Sequence, residues 1–245
     1  MTSVNVRNAL QHLPYQLRVD QQRIHALRMR VLLALAKKYL AEIPAPVILD
    51  VGCGRGEFMR EIAQIVGASV YRIDPDAECV RISSEIGPVY QGTVEEVLAS
   101  NRDRLIEQFD LVVSSHSLEH MRCPYDAVIA MKEMTRRYLL FAVPNPHFLP
   151  RLVRVAFLGK LPPVNDGHLY AWDAPHFHHF LTYHCGLNIL EWSGDWVKLV
   201  PGRLRGFIDK IQPVPFLEAR FLPQFLPRLA ESLIVMCEKP SDGAL

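Results

Sequence analysis

Two kinds of hydrophobic spacing alternate along this chain. Short apolar, β-rich runs fall at 47–51, 69–73, 89–91, 109–113, 138–143, 187–192 and 232–238. Between them, helical patterns occupy 57–66, 76–86, 95–108, 122–136 and 174–185. The first kind suits strands, the second helices. A longer helical stretch over 17–40 precedes the first strand, with Ile24, Leu27, Val31, Ala34 and Leu35 at helical intervals. Pro44 and Pro46 end it and feed extended chain. Asp76 and Asp173 stand where N-caps belong, and Gly67 and Gly186 where helices stop. Alternating strands and crossover helices predict an α/β fold built on a parallel sheet.

The first strand runs straight into three glycines, Gly52, Gly54 and Gly56, and a helix begins near Glu57. Glycines let the backbone turn sharply and let a ligand approach where a Cβ would collide. The helix start adds unpaired N–H groups and a positive dipole end. A dinucleotide fingerprint needs G-x-G-x-x-G, but Glu57 occupies the place of its third glycine. An acid there also repels a pyrophosphate. At the tip of the second strand stands Asp74, 22 residues past Gly52, placed to accept both hydroxyls of a ribose.

The turn DVGCGRG closely resembles the first motif of class I S-adenosylmethionine-dependent methyltransferases, and FDLVVSSHSLEHM at 109–121 strengthens the resemblance. The resemblance covers roughly 40–195. It implies a Rossmann-like, seven-stranded, mostly parallel sheet with helices on both faces, one antiparallel strand near the C-terminus and a lid insertion. We expect one methyltransferase domain over 1–245, with a helical cap (1–43), a cofactor-binding core (44–144), a lid (145–172) and C-terminal strands (173–245) carrying an insertion at 200–229. In such enzymes the turn after the third strand lies against adenine, and the loop after the fourth meets the methionine end. The residues this assigns to the cofactor are Asp50, Gly52, Cys53, Gly54, Gly56, Asp74, Pro75, Thr93, Val94, Ser115 and His116. An acid common at the adenine turn is replaced here by Thr93. On the long first helix, Tyr15 or Arg18 is the expected neighbour of the cofactor carboxylate, if the helix acts as a cap and not merely as cover for the sheet.

The implied reaction is an in-line methyl transfer, which asks chiefly for alignment and desolvation. An oxygen nucleophile must also lose a proton, and a histidine near neutral pH suits that task. We expect His116, His120 and His168 to be catalytic, with His168 first among the lid residues and His116 first near the cofactor; His147 is a further base. The plainer roles are a backbone hydrogen bond for His120 and a buried acceptor for Glu119. His176, His178 and His179 follow the lid, at least two of them facing solvent.

The stretch 116–120 also spells H-x-x-E-H, the inverted zinc-protease signature, although here it leaves a strand and does not open on a helix. It is similar as well to the E-x-x-E-H loop of small-RNA 3′-terminal 2′-O-methyltransferases, which with a lid histidine surrounds a divalent ion, and to a loop of ubiquinone-pathway O-methyltransferases. Against that pattern His116 replaces the first glutamate, while Glu119, His120 and His168 match. A divalent metal is left open, with no ligand assigned.

The expected function is therefore O-methylation of a small molecule: a sugar, lipid-linked glycan, quinone or secondary metabolite. The alternatives are a metal-dependent RNA 3′-terminal 2′-O-methyltransferase and a non-catalytic cofactor-binding protein. A net charge of +1 with no polybasic block argues against long nucleic acid as a partner. Five scattered cysteines without a C-x-x-C pair read as reduced thiols, and no apolar leader or membrane-length run is seen, so a cytoplasmic protein is expected. The Pro/Phe/Leu-rich stretch 200–229, with interleaved arginines, fits a subunit contact or lid support, or a membrane surface. Monomer and homodimer both remain open.

Overall fold

The structure, a computed structural model, describes residues 15–159, 167–199 and 214–240. Most of the N-terminal tail, the middle of the expected lid and the first half of the 200–229 insertion lie outside the described residues.

Seven strands form one sheet: β1 (Val47–Val51), β2 (Ser69–Asp74), β3 (Val89–Gln91), β4 (Phe109–Ser115), β5 (Thr135–Pro144), β6 (Asn188–Gly194) and β7 (Ser232–Glu238), in the order β3-β2-β1-β4-β5-β7-β6. All pairs are parallel except those of β7, which runs antiparallel to β5 and β6. The Rossmann-like sheet with one reversed strand near the C-terminus is thus present. Its winding changes direction between β1 and β4, and crevices at the carboxyl ends of strands open at such a switch point.

Both sheet faces are buried, and the period of two in the strands shows why. Ile48, Leu111, Val113, Leu140 and Ile234 face one side, where α1 (Tyr15–Leu40) and α2 (Glu57–Val66) pack Leu32, Ala36, Met59 and Ile62 against them. Leu49, Val112, Leu139, Phe141 and Val235 face the other; past α3 (Ala77–Ser83), which joins β2 to β3, this face is covered by α4 (Val94–Ser100), the short α5 (Arg102–Leu105), α6 (Pro124–Met134) and, past α7 (Leu149–Leu158), α8 (Ala174–His179), and Val97, Leu105, Val128, Met131 and Phe177 supply the packing. Burial of each such side chain contributes roughly 1.5–3 kcal/mol. Cap chemistry matches the sequence: Asp76 accepts from the N–H groups of Glu78 and Cys79, Asp173 accepts from that of His176, and Gly67 ends α2 at φ 63°.

Four segments differ from expectation. The polar helix over 95–108 breaks at Asn101, which leaves helical geometry and donates its side-chain amide to the Val97 carbonyl, so α4 and α5 are separate. The stretch expected to be an irregular lid contains α7, entered through Pro150 in its first turn and closed by Gly159 at φ 60°. The helix expected over 174–185 is α-helical only to His179 and continues as a π-helical turn, Phe180–His184. Within the 200–229 insertion, α9 (Val214–Phe216) and α10 (Leu222–Phe225) flank a second π turn, and Phe216, Phe221 and Phe225 are exposed. Among the described residues, no helix is long and apolar enough to cross a membrane.

Candidate active site

The glycine bend is shaped by its backbone. Gly52, Gly54 and Gly56 all sit at left-handed φ (76°, 52° and 75°). The Gly52 N–H donates to the Ile73 carbonyl at 2.8 Å, and that of Gly56 to the Cys53 carbonyl at 2.9 Å. A Cβ on Gly52 would lie 2.4 Å from Ser117 Cβ, so the close approach of the β4 loop to the bend depends on that glycine. Ser117 in turn donates from Oγ to the Val51 carbonyl at 3.1 Å.

Asp74 joins the bend directly. Its Oδ2 accepts from the Gly54 N–H at 2.8 Å and its Oδ1 from the Asp76 N–H at 2.9 Å. Each oxygen keeps acceptor capacity for a hydroxyl. Burial pushes its carboxyl up, against the lowering by those two bonds. Asp50 lies buried below, paired in register with Arg72 of β2, and burial with the Asp74 charge pushes it up to about 7. Cys53 is half-buried and its thiol is raised by burial. Pro75 is exposed. Val94 is packed in the core at 2% exposure, and Thr93 closes a capping box with Glu96, its hydroxyl accepting from the Glu96 N–H.

Beyond Ser115, itself half-buried, the chain turns through His116 at φ 53°, a left-handed conformation rare for histidine. Its Nε2 lies 2.9 Å from Ser232 Oγ, and that hydroxyl donates to Asp195 Oδ2 at 2.7 Å. From α1, an Arg28 nitrogen lies 3.2 Å from His116 Nδ1 and 3.0 Å from Nε2. Burial, then the Arg28 charge, holds the His116 imidazole well below its ordinary range.

Glu119 is the hub of the histidines. Its side chain is buried, and among the described residues neither carboxylate oxygen has a hydrogen-bond partner. His116 Nδ1 and His120 Nε2 lie 3.9 Å from Glu119 Oε1, and His168 Nε2 4.0 Å. Burial pushes the Glu119 carboxyl up to about 7 and, followed by the His120 charge, pulls His168 down. His120 Nδ1 is 2.7 Å from the Gly167 carbonyl, an acceptor only, so Nδ1 carries a proton, and Nε2 is the nitrogen that faces Glu119. The N–H groups of Leu169 and Tyr170 donate to the Glu119 carbonyl, which ties the start of 167–172 to this loop.

The structure thus brings together His116, His120 and His168, and separately Asp74 with the glycine bend. His147 is exposed, as are His176, His178 and His179. The side chains of Tyr15 and Arg18 lie outside the described residues. The helix's contribution to the site is Arg28, and its signal was a charge four residues after Ile24 and three before Val31, on the apolar stripe. Asp195 and Ser232 had no local signal; tertiary folding alone aligns them with His116.

A family model described as "Methyltransferase domain" matches residues 19–191, most of the chain. The chain belongs to this methyltransferase family. Similar solved structures agree on the fold. A magnesium protoporphyrin IX methyltransferase from Synechocystis PCC 6803 with bound SAH aligns with TM-score 0.62 at 15% identity, over 94% of this chain and 89% of that one. The same enzyme with bound SAM aligns at 0.58 and 13%, over 94% and 86%. The cyclase SpnF aligns at 0.56 and 16%, over 85% and 80%. No curated protein matches by sequence.

The two Synechocystis structures hold S-adenosylmethionine or its product S-adenosylhomocysteine. The site fits that ligand. The buried Asp50 and Asp74 and the exposed Glu57 suit a ligand bearing ammonium and sulfonium charges and no phosphate, and left-handed glycines clear the approach.

Proposed function

We propose that this methyltransferase transfers the methyl group to an oxygen of a small hydroxylated acceptor: a sugar, lipid-linked glycan, quinone or secondary metabolite. S-adenosylmethionine supplies the electrophilic methyl carbon. The observation that carries the reading is the set of imidazoles around Glu119, with His116 and His168 held toward their neutral, proton-accepting forms. In this reading Asp74 takes the ribose hydroxyls and the glycine bend the amino-acid end. Val94 contributes only backbone beside the adenine. His116 or His168 removes the acceptor proton as the oxygen attacks, and His120 orients the lid through Gly167. The chain works as one cytoplasmic methyltransferase domain with 145–172 as its lid, and the exposed phenylalanines of 214–229 support contact with a membrane surface or a second subunit.

Methyl-labelled S-adenosylmethionine offered with pooled small-molecule extracts tests this. Label should appear on a hydroxyl oxygen of a small molecule and fall sharply in His116→Asn and His168→Asn. Label on nitrogen or carbon, or unchanged turnover in both variants, refutes it. A second reading, metal-assisted methylation of an RNA 3′ end, draws on the unpartnered Glu119 facing His120 and His168, whose ligand atoms lie within 4.8 Å of one another. One carboxylate and two imidazoles suit a transition metal. Elemental analysis should then show one metal per chain, lost in Glu119→Gln, with label on the RNA terminus. Metal-free active protein removes this reading.

A further inference from the structure

Arg28 is an enclosed cation without an anion. Among the described residues no carboxylate stands within ion-pair distance of it, and its guanidinium donates to two histidines, His116 and His25. Asp195, Glu119 and Glu231 act on it only at longer range. A half-buried charge held this way is poorly compensated.

The hydrogen-bond directions around His116 follow from its partners. Guanidinium can only donate. The Ser232 hydroxyl donates to Asp195, a carboxylate that also accepts from the N–H groups of Ser232 and Trp196. Ser232 Oγ is then left to accept, so His116 Nε2 carries the proton. Its Nδ1 presents the lone pair, and the Arg28 nitrogen sits across the nitrogen edge of the ring, 3.2 Å from Nδ1 and 3.0 Å from Nε2, so that it covers that lone pair. In this state His116 has no free acceptor for a substrate proton.

The position of Arg28 says what anion can relieve it. Asp74 stands at the end of β2 on one side of β1, and His116 follows β4 on the other. The glycine bend lies between, pressed against Ser117 next to His116. A nucleoside held at Asp74 and extended across the bend brings its far end to Arg28.

We propose that Arg28 is a carboxylate-operated latch: it covers His116 Nδ1 until the carboxylate of the cofactor's amino-acid end draws it away, while Asp195, through Ser232, keeps the ring in place with Nδ1 free. The latch rests on the cofactor assignment and on the reading of His116 as a base. It orders events, since the base is exposed only once the methyl donor is seated. Asp195 and Ser232 are positioning residues.

The test compares S-adenosylhomocysteine with 5′-methylthioadenosine, a nucleoside thioether that lacks the amino-acid carboxylate. In wild-type protein labelled with 15N-histidine, His116 should be the Nε2–H tautomer throughout. S-adenosylhomocysteine should move its Nδ1 resonance, and methylthioadenosine should not. By calorimetry, Arg28→Gln should weaken S-adenosylhomocysteine about 10- to 100-fold, as expected for a lost charged hydrogen-bond pair, with methylthioadenosine unchanged. Ser232→Ala should remove the single tautomer. Equal shifts or equal losses with the two ligands overturn the latch alone. Failure of both to bind the wild type overturns the cofactor assignment and the latch with it. An active His116→Asn enzyme removes the base reading, while a carboxylate-dependent loss in Arg28→Gln still supports the hand-over.

Discussion

Gly52→Ala is the sharpest probe of the bend. The residue sits at φ 76°, and an added Cβ would meet Ser117 Cβ and Oγ at 2.4 Å each. Left-handed geometry costs a non-glycine residue about 1 kcal/mol. Ser117 cannot easily yield, because its Oγ is bonded to the carbonyls of Val51 and Ser115. Overpacking of this kind costs about 1–3 kcal/mol. The sum, about 2–4 kcal/mol, is a large fraction of the roughly 5–15 kcal/mol that stabilises a typical domain. Urea unfolding followed by tryptophan fluorescence reads the loss, with buried Trp196 as a reporter. Removing the obstructing side chain isolates the steric part: in a double-mutant cycle with Ser117→Gly, the pair should recover about 1–3 kcal/mol, leaving only the backbone cost. A loss below roughly 0.5 kcal/mol, the scale of an ordinary surface change, or no recovery with Ser117→Gly, refutes the close-approach argument.

Three further outcomes are expected. Asp74→Ala should weaken S-adenosylhomocysteine by about 1–3 kcal/mol in calorimetry, with Asp74→Asn intermediate, and unchanged affinity in both rejects its ribose role. Asp50 has its folded pKa raised from 3.8 to about 7, so the folded state holds the extra proton between those values. Asp50's contribution to ligand-free stability should therefore fall as pH rises from about 4 to 7, by on the order of 4 kcal/mol, and hold steady beyond; Asp50→Asn should remove that share and leave the slope contributed by Glu119 and Glu231, which are raised in the same way, and parallel pH profiles for the two proteins contradict it. Asn145 is fully buried, donating to the carbonyls of Arg228 and Ala230 and accepting from the His147 N–H. Asn145→Ala strands those groups and should cost about 1–3 kcal/mol in thermal or urea unfolding, and a neutral result would show that water replaces the amide.

The strands and the bend were legible because their determinants are local. Apolar alternation, glycines at every second position and caps at Asp76 and Asp173 act within a few residues of where they stand, so β3, α2 and β7 occupy the residues their pattern marks. Asp74 was legible for the same reason, as an acid at a strand tip. The break at Asn101 and helix α7 were not, because a polar helix and a proline-rich stretch carry weak local preferences that packing overrides.

Local chemistry also supplied the identities of the histidines, but not their partners. His116 gains its tautomer from Ser232 and Asp195, residues 116 and 79 positions further along the chain, and its cover from Arg28, 88 positions before it. Contacts of such separation form only when the sheet closes and α1 lies across it. What residue types and spacing determine here is the ligand pocket's backbone and the kind of chemistry available. Which nitrogen of which histidine is offered to a substrate is decided by groups that meet only in three dimensions, because hydrogen-bond direction depends on neighbours that no short stretch of chain contains.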